Sequence, residues 1–164
     1  MNLQTQQIPS PIGDIILVFE AATLRALDFQ DYEERTHHFL RLHYGKITLS
    51  PGQTPMAKEI EAYFEGDIAA LSRIPTKTGG TEFQRKVWQA LTKIKPGKTK
   101  TYSEIAGEIG HPKAIRAVGA ANGANPISLV IPCHRVIGAD GTLTGYGGGL
   151  HRKKWLLAHE SRRD

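Results

Sequence analysis

A chain of 164 residues with 21 Lys plus Arg against 16 Asp plus Glu carries a formal charge of +5, a moderate excess that suits a phosphate-bearing partner without demanding one. Its single cysteine excludes an internal disulfide and any multi-cysteine zinc site, and a free thiol fits a reducing compartment. It lacks the run of roughly 18 apolar residues that spans a bilayer, and its opening Met1 to Gln7 has neither a basic start nor an apolar core, so no membrane association and a cytoplasmic location are expected. In chain order, Pro9 to Asp14 reads as a turn, and Ile15 to Phe19 and Leu24 to Phe29 as two strands of a hairpin. Glu33 to Tyr44 has the mixed pattern of a surface helix, in which His37, His38 and His43 belong to a solvated or half-buried face rather than to a metal site. Ile47 to Leu49 suggests a short strand, and Thr54 to Phe64 a helix with Met56, Ile60, Tyr63 and Phe64 on one face. This first half is a small α/β layer whose acids fall at turns and polar helix faces. The polar, glycine-containing connection from Pro75 to Gly80 marks a boundary, giving units 1–77 and 78–164.

In the second half Thr81 can cap a helix in which Phe83, Val87, Leu91 and Ile94 form a core stripe beside Trp88, ended by Pro96-Gly97. Tyr102, Ile105, Ala106 and Ile109 space a second short helix that Gly110-His111-Pro112 stops. A third starts near Lys113, with Ile115, Val118 and Asn122 on one face and Arg116 turned away from it. Two short helices around a tight turn are the pattern of a helix-turn-helix, a weak signal alone. The small residues Ala117, Gly119, Ala120 and Ala121 strengthen it, because a narrow helix can approach another backbone closely. Gly123 to Pro126 then turns the chain into the apolar run that carries Cys133.

A lone buried cysteine is most often an inert small hydrophobe. Here Pro132 fixes the backbone beside it, and His134 and Arg135 bring an imidazole and a permanent charge, which favour thiolate and offer a base. Adjacent residues of an extended strand point to opposite faces, so cooperation of Cys133 with His134 requires a turn at Cys133 or a bridging water. The glycine-rich loop from Gly138 to Gly149 contains an Asp140-Gly141 hairpin turn and lacks the Gly-Lys-Ser/Thr of a phosphate loop. It suits close backbone approach to a flat ligand, with Tyr146 stacking. A last helix from about Leu150 carries Trp155, Leu156 and Leu157 for packing, then His159 and Glu160.

Taken together, Pro132-Cys133-His134-Arg135-Val136, Arg116 to Gly119, Asn125-Pro126, Gly145-Tyr146, Gly148-Gly149, Trp155 to Glu160, Phe83 to Trp88 and Tyr102 to Ala106 resemble the O6-alkylguanine-DNA alkyltransferases. These are also called methylated-DNA-protein-cysteine methyltransferases. The likeness covers the whole second half and, more loosely, the first, in the single-subunit bacterial manner. It implies an α/β, ribonuclease H-like N-terminal domain and a mainly α, winged-helix-like C-terminal domain with a helix-turn-helix. It also implies a cofactor-free and metal-free monomer acting on double-stranded DNA containing O6-alkylguanine, bound through the minor groove, with O4-alkylthymine a further candidate substrate. Cys133 resembles the acceptor that keeps the alkyl group as a thioether and so acts once. His134 resembles the base, working through water, and Glu160 the acid that orients it. Asn125 resembles a hinge between the DNA-binding helix and the active-site loop. Tyr102 resembles the residue that helps rotate the nucleotide and protonates guanine N3. Arg116 resembles the finger that fills the vacated stack, on a helix whose Ala117, Gly119 and Ala120 approach DNA. Val136, Tyr146 and Gly147 resemble pocket walls; glycine at 147, where some relatives carry a larger side chain, implies tolerance of alkyl groups larger than methyl. Ser161 stands where many members have glycine. Two other readings compete: a cysteine hydrolase using Asn125, Cys133 and His134, in which adjacent Cys and His make the geometry awkward, and a non-catalytic lesion-binding protein of the same fold, against which Cys133 argues.

Overall fold

The computed structural model describes residues 1–143 and 145–161; Thr144 of the glycine-rich loop and residues 162–164 lie outside that description. The chain is a mixed α/β protein that divides into two compact units, residues 1–79 with 126–130, and residues 80–125 with the chain from 131 onward.

The first unit is built on a four-stranded sheet of β1 (Asn2–Ile8), β2 (Ile15–Glu20), β3 (Thr23–Phe29) and β4 (Thr48–Pro51), in the order β3-β2-β1-β4. The expected hairpin forms β2 and β3, antiparallel and buried along nearly their whole length, β2 as a continuous apolar run and β3 with Arg25 and Asp28 buried among its apolar residues. β1 is a strand the pattern of residues did not suggest. Only Leu3 and Ile8 are buried among its glutamines, and ladders to β2 on one side and parallel β4 on the other hold it in place. Helix α1 (Glu33–Tyr44) buries Thr36 and Leu40, and Leu40 joins Leu3, Ile16, Val18 and Ala26 in one apolar cluster. Arg35 near its start donates to both carboxylate oxygens of buried Asp28 at 2.9 Å. Helix α2 (Met56–Glu65) buries Met56, Ile60 and Tyr63 as the periodicity requires, with Phe64 half-buried. Residues 126–130 return to this unit, where Leu27 N–H donates to the Pro126 carbonyl and Ser128 N–H to the Leu27 carbonyl, each at 3.0 Å.

The second unit contains α3 (Glu82–Thr92), α4 (Tyr102–Glu108), α5 (Ile115–Gly123) and α6 (Leu150–Ser161), with a short parallel pair, β5 (Lys100–Thr101) and β6 (Val136–Ile137). Reciprocal capping bonds start two of the helices: Thr81 with Gln84 on α3 and Thr101 with Glu104 on α4, each satisfying orphan backbone donors. α3 packs against α4 and α5 through Val87, Leu91, Ile105, Ala106 and Val118, and Trp88 is core, its Nε1–H donating to the Ala121 carbonyl at 2.8 Å. Ile115 departs from the expected stripe. It is 43% exposed at the first residue of α5, whereas Val118 one turn later is fully buried. Among the described residues no helix is long and apolar enough to cross a membrane.

Candidate active site

Cys133, His134 and Arg135 form a single 3-10 turn, closed by Arg135 N–H donating to the Pro132 carbonyl at 3.0 Å. The turn is the local departure from extended backbone that an adjacent thiol and imidazole need in order to work together. Val136 follows directly as the first residue of β6, paired with Lys100, which pins the exit of the turn. Cys133 is 4% exposed and His134 fully buried.

Below the turn lies a buried charge cluster. His134 Nε2 is 2.8 Å from Glu160 Oε2, while Arg135 donates Nε to Oε1 at 2.7 Å and Nη2 to Oε2 at 2.9 Å. A third Arg135 bond, from Nη1 to the Ile94 carbonyl at 2.7 Å, ties the cluster to the end of α3. Burial alone would favour a neutral Glu160, but the hydrogen bonds from His134 and Arg135 outweigh it and hold the carboxyl far below the usual carboxylate range. Burial pushes the His134 imidazole down; the Glu160 bond opposes this, while Arg135 and Lys153 add repulsion. Arg135 is a permanent, bidentate counterion for Glu160, so the carboxylate does not depend on a charged imidazole. His134 is therefore neutral, with Nε2–H donating to Glu160, and Nδ1 is left as the basic nitrogen; it has no hydrogen-bond partner among the described residues.

Three further groups frame the thiol residue. Asn125 donates Nδ2 to the Ile131 carbonyl at 2.7 Å, and Asn122, on the buried side of α5, donates Nδ2 to the Cys133 carbonyl at 3.4 Å. Lys153 of α6 is fully buried and donates Nζ to the Val136 carbonyl at 2.6 Å. Burial pushes its ammonium down, and charge interaction with Cys133 opposes that. On the loop side, Tyr146 presents a T-shaped contact to His134, with ring centroids 6.4 Å apart, and Arg152 Nη1 bonds the Gly148 carbonyl at 3.0 Å. Val136 is fully buried and Gly147 half-buried.

The other expected residues lie apart from this cluster. Arg116, Ala117 and Ala120 are exposed on α5, and Tyr102 is half-buried at the start of α4. A Cβ added at Gly119 would stand 3.9 Å from the Tyr102 ring, an ordinary contact, so α5 passes close to the start of α4 at that point. Among the described residues no hydrogen bond or ring contact joins Arg116, Ala117 or Ala120 to the thiol network.

Residues 82–162 match the family model described as 6-O-methylguanine DNA methyltransferase, DNA binding domain. A methylated-DNA–protein-cysteine methyltransferase of Salmonella typhimurium is 46% identical over 98% of this chain and 96% of its own. The chain belongs to the methylated-DNA–protein-cysteine methyltransferase family. A family member from Haemophilus influenzae is 42% identical over 93% of this chain and 83% of its own. The fold agrees: a crystal structure of Mycobacterium tuberculosis OGT in complex with DNA superposes with a TM-score of 0.80 at 42% identity, covering 98% of this chain and 93% of that one.

In this methyltransferase three buried side chains went unassigned at the level of sequence: Arg135 as the anchor of Glu160, Lys153, and Asn122. A signal for Lys153 existed. Spaced three before Leu156 and seven before Glu160, it belongs to the same buried face of α6. Arg135 carried no such signal, since only the turn brings its guanidinium under the imidazole.

Proposed function

We propose that this protein reverses alkylation damage in DNA by moving the alkyl group from guanine O6 to Cys133, once per molecule. The observation that carries the reading is Cys133 in a tight turn next to a neutral, buried His134 whose orientation is set by an ionised Glu160. His134 Nδ1 takes the thiol proton, directly or through a water. The sulfur then attacks the O6-bound carbon: the S–C bond forms, the C–O bond breaks, and its electron pair leaves on O6, with Tyr102 supplying a proton at guanine N3. The thioether that results is a poor leaving group, so the protein is consumed.

A stacked guanine does not expose that carbon to in-line attack, so the nucleotide leaves the duplex at a cost of a few kcal/mol. The helix-turn-helix of α4 and α5, in a winged-helix-like unit spanning 78–164, enters the minor groove, whose degenerate readout suits a search over all sequences. Exposed Arg116 fills the gap in the stack, Ala117, Gly119 and Ala120 allow the helix to approach, and Asn125 links it to the active-site segment. Val136, Tyr146 and Gly147 wall the pocket around the flipped base. Residues 1–77 form the ribonuclease H-like domain, and the protein acts as a monomer on double-stranded DNA. The relatives' names, and the DNA complex of the mycobacterial protein, support this reading. Incubated with excess duplex containing O6-methylguanine, the protein restores one guanine per molecule and then stops, and Cys133→Ser restores none. Continued turnover, or binding without any restored guanine, contradicts the proposal.

A further inference from the structure

Asn122 sits on the inward face of α5 with Val118 and Ala121 and is 4% exposed. Its Nδ2 reaches the carbonyl of Cys133 itself across 3.4 Å, the long end of the hydrogen-bond range, and its Oδ1 is buried without a partner among the described residues. As packing this is a poor choice. Leucine or methionine would fill a similar volume without taking an amide carbonyl out of water, and buried polar atoms in native structures are nearly always paired. The two asparagines of this segment also do different things. Asn125 bonds the Ile131 carbonyl, two residues before the thiol, and holds the approach to the turn, whereas Asn122 touches the backbone of the acceptor residue.

We propose that Asn122 is a positioning residue that transmits the placement of α5 to the thiol; the inference rests on the function proposed above. α5 is one rigid segment of 9 residues with Arg116, Ala117 and Ala120 on its outward face and Val118, Ala121 and Asn122 on its inward one. A displacement imposed on the outer face by a duplex therefore appears at the Asn122 amide. Shortening the 3.4 Å contact toward an ordinary bond draws in the Cys133 carbonyl and turns the residue that carries Sγ. The long bond is the unloaded state of this linkage, and the unpaired Oδ1 is the stability given up to keep an amide there.

The test is Asn122→Leu, with Asn122→Ala as a second variant should leucine fail to fold. It compares thermal stability, duplex affinity, alkylation of Cys133 by a haloacetamide without DNA, and single-turnover methyl transfer from an O6-methylguanine duplex. Stability of Asn122→Leu is expected to hold or rise, affinity and haloacetamide reaction to match the wild type, and transfer from duplex to slow about tenfold, the rate equivalent of one hydrogen bond. A merely structural residue would lose stability and slow both thiol reactions alike. Transfer at the wild-type rate, or equal slowing of both reactions, overturns the inference. A wild-type protein that accepts no methyl group overturns the function beneath it instead.

Discussion

Replacing Glu160 by glutamine keeps the shape of the buried cluster and removes the carboxylate that pairs with Arg135 and His134. Arg135, 6% exposed, then holds an uncompensated charge in a site from which water is largely excluded. Removing one partner of a buried ion pair costs about 3–5 kcal/mol. Glutamine still offers one acceptor oxygen, and the Ile94 carbonyl still accepts from Arg135, so the lower end, about 3 kcal/mol, applies. For a chain of this size each kcal/mol moves the midpoint by roughly 2–4 °C, giving a fall of about 6–12 °C in thermal unfolding followed by circular dichroism. His134 loses its ionic orienting partner at the same time, and single-turnover transfer measured well below both midpoints is expected to slow by about 100-fold, within the range a positioned base contributes. Arg135→Met/Glu160→Leu separates the two effects. With both charges gone the core can be apolar, so much of the stability returns, while the imidazole stays unoriented and transfer stays slow. A midpoint for Glu160→Gln within about 2 °C of wild type, or a double variant that transfers at the wild-type rate, would refute the reasoning.

Lys153→Met removes the buried ammonium that favours the Cys133 thiolate. Transfer at pH 7 is expected to slow and to recover toward alkaline pH, and an unchanged rate–pH profile would show that the lysine serves only the Val136 carbonyl. Arg116→Ala, at an exposed position, is expected to leave the unfolding midpoint within about 0.5 kcal/mol while weakening repair of duplex more than reaction with the free base; equal losses on both would remove the finger role. Stability should also fall on acidification in two stages. His134 is held neutral in the fold, so its contribution is complete above the ordinary histidine value of 6.5 and declines below it. Glu160 has a depressed folded value, so its contribution is complete above 4.5 and is lost progressively below that. The second stage should be absent from Glu160→Gln; a midpoint independent of pH from about 7 to 5 would contradict the His134 assignment, and one independent of pH from about 4.5 to 3 would contradict that of Glu160.

Elements defined by long runs of one period were legible in the sequence. The continuous apolar run of β2, the largely apolar β3 and the stripes of α2 and α3 reflect burial that each segment declares by itself. β1 did not, because its stability lies in ladders to strands elsewhere in the chain and its own residues are mostly glutamine and threonine. Ile115 reads as core by spacing and is exposed, since periodicity does not report where a helix meets its neighbour. At the site, Cys133 and His134 stood out as chemistry in an apolar run, and strand geometry alone required either a turn at Cys133 or a bridging water, of which the structure shows the turn. Arg135 stood out as a charge but its pairing with Glu160 did not, and Asn122 and Lys153 were not singled out, because each acts on a backbone carbonyl or a carboxylate that only the folded chain brings within reach.

The most direct test is to locate the transferred group. After incubation with a duplex containing isotopically labelled O6-methylguanine, intact-mass measurement should show one added methylene per protein. Peptide mapping should place the label on the sulfur of Cys133, and Cys133→Ala should gain none. Label on any other side chain, or a Cys133→Ala protein that still acquires it, would contradict the account.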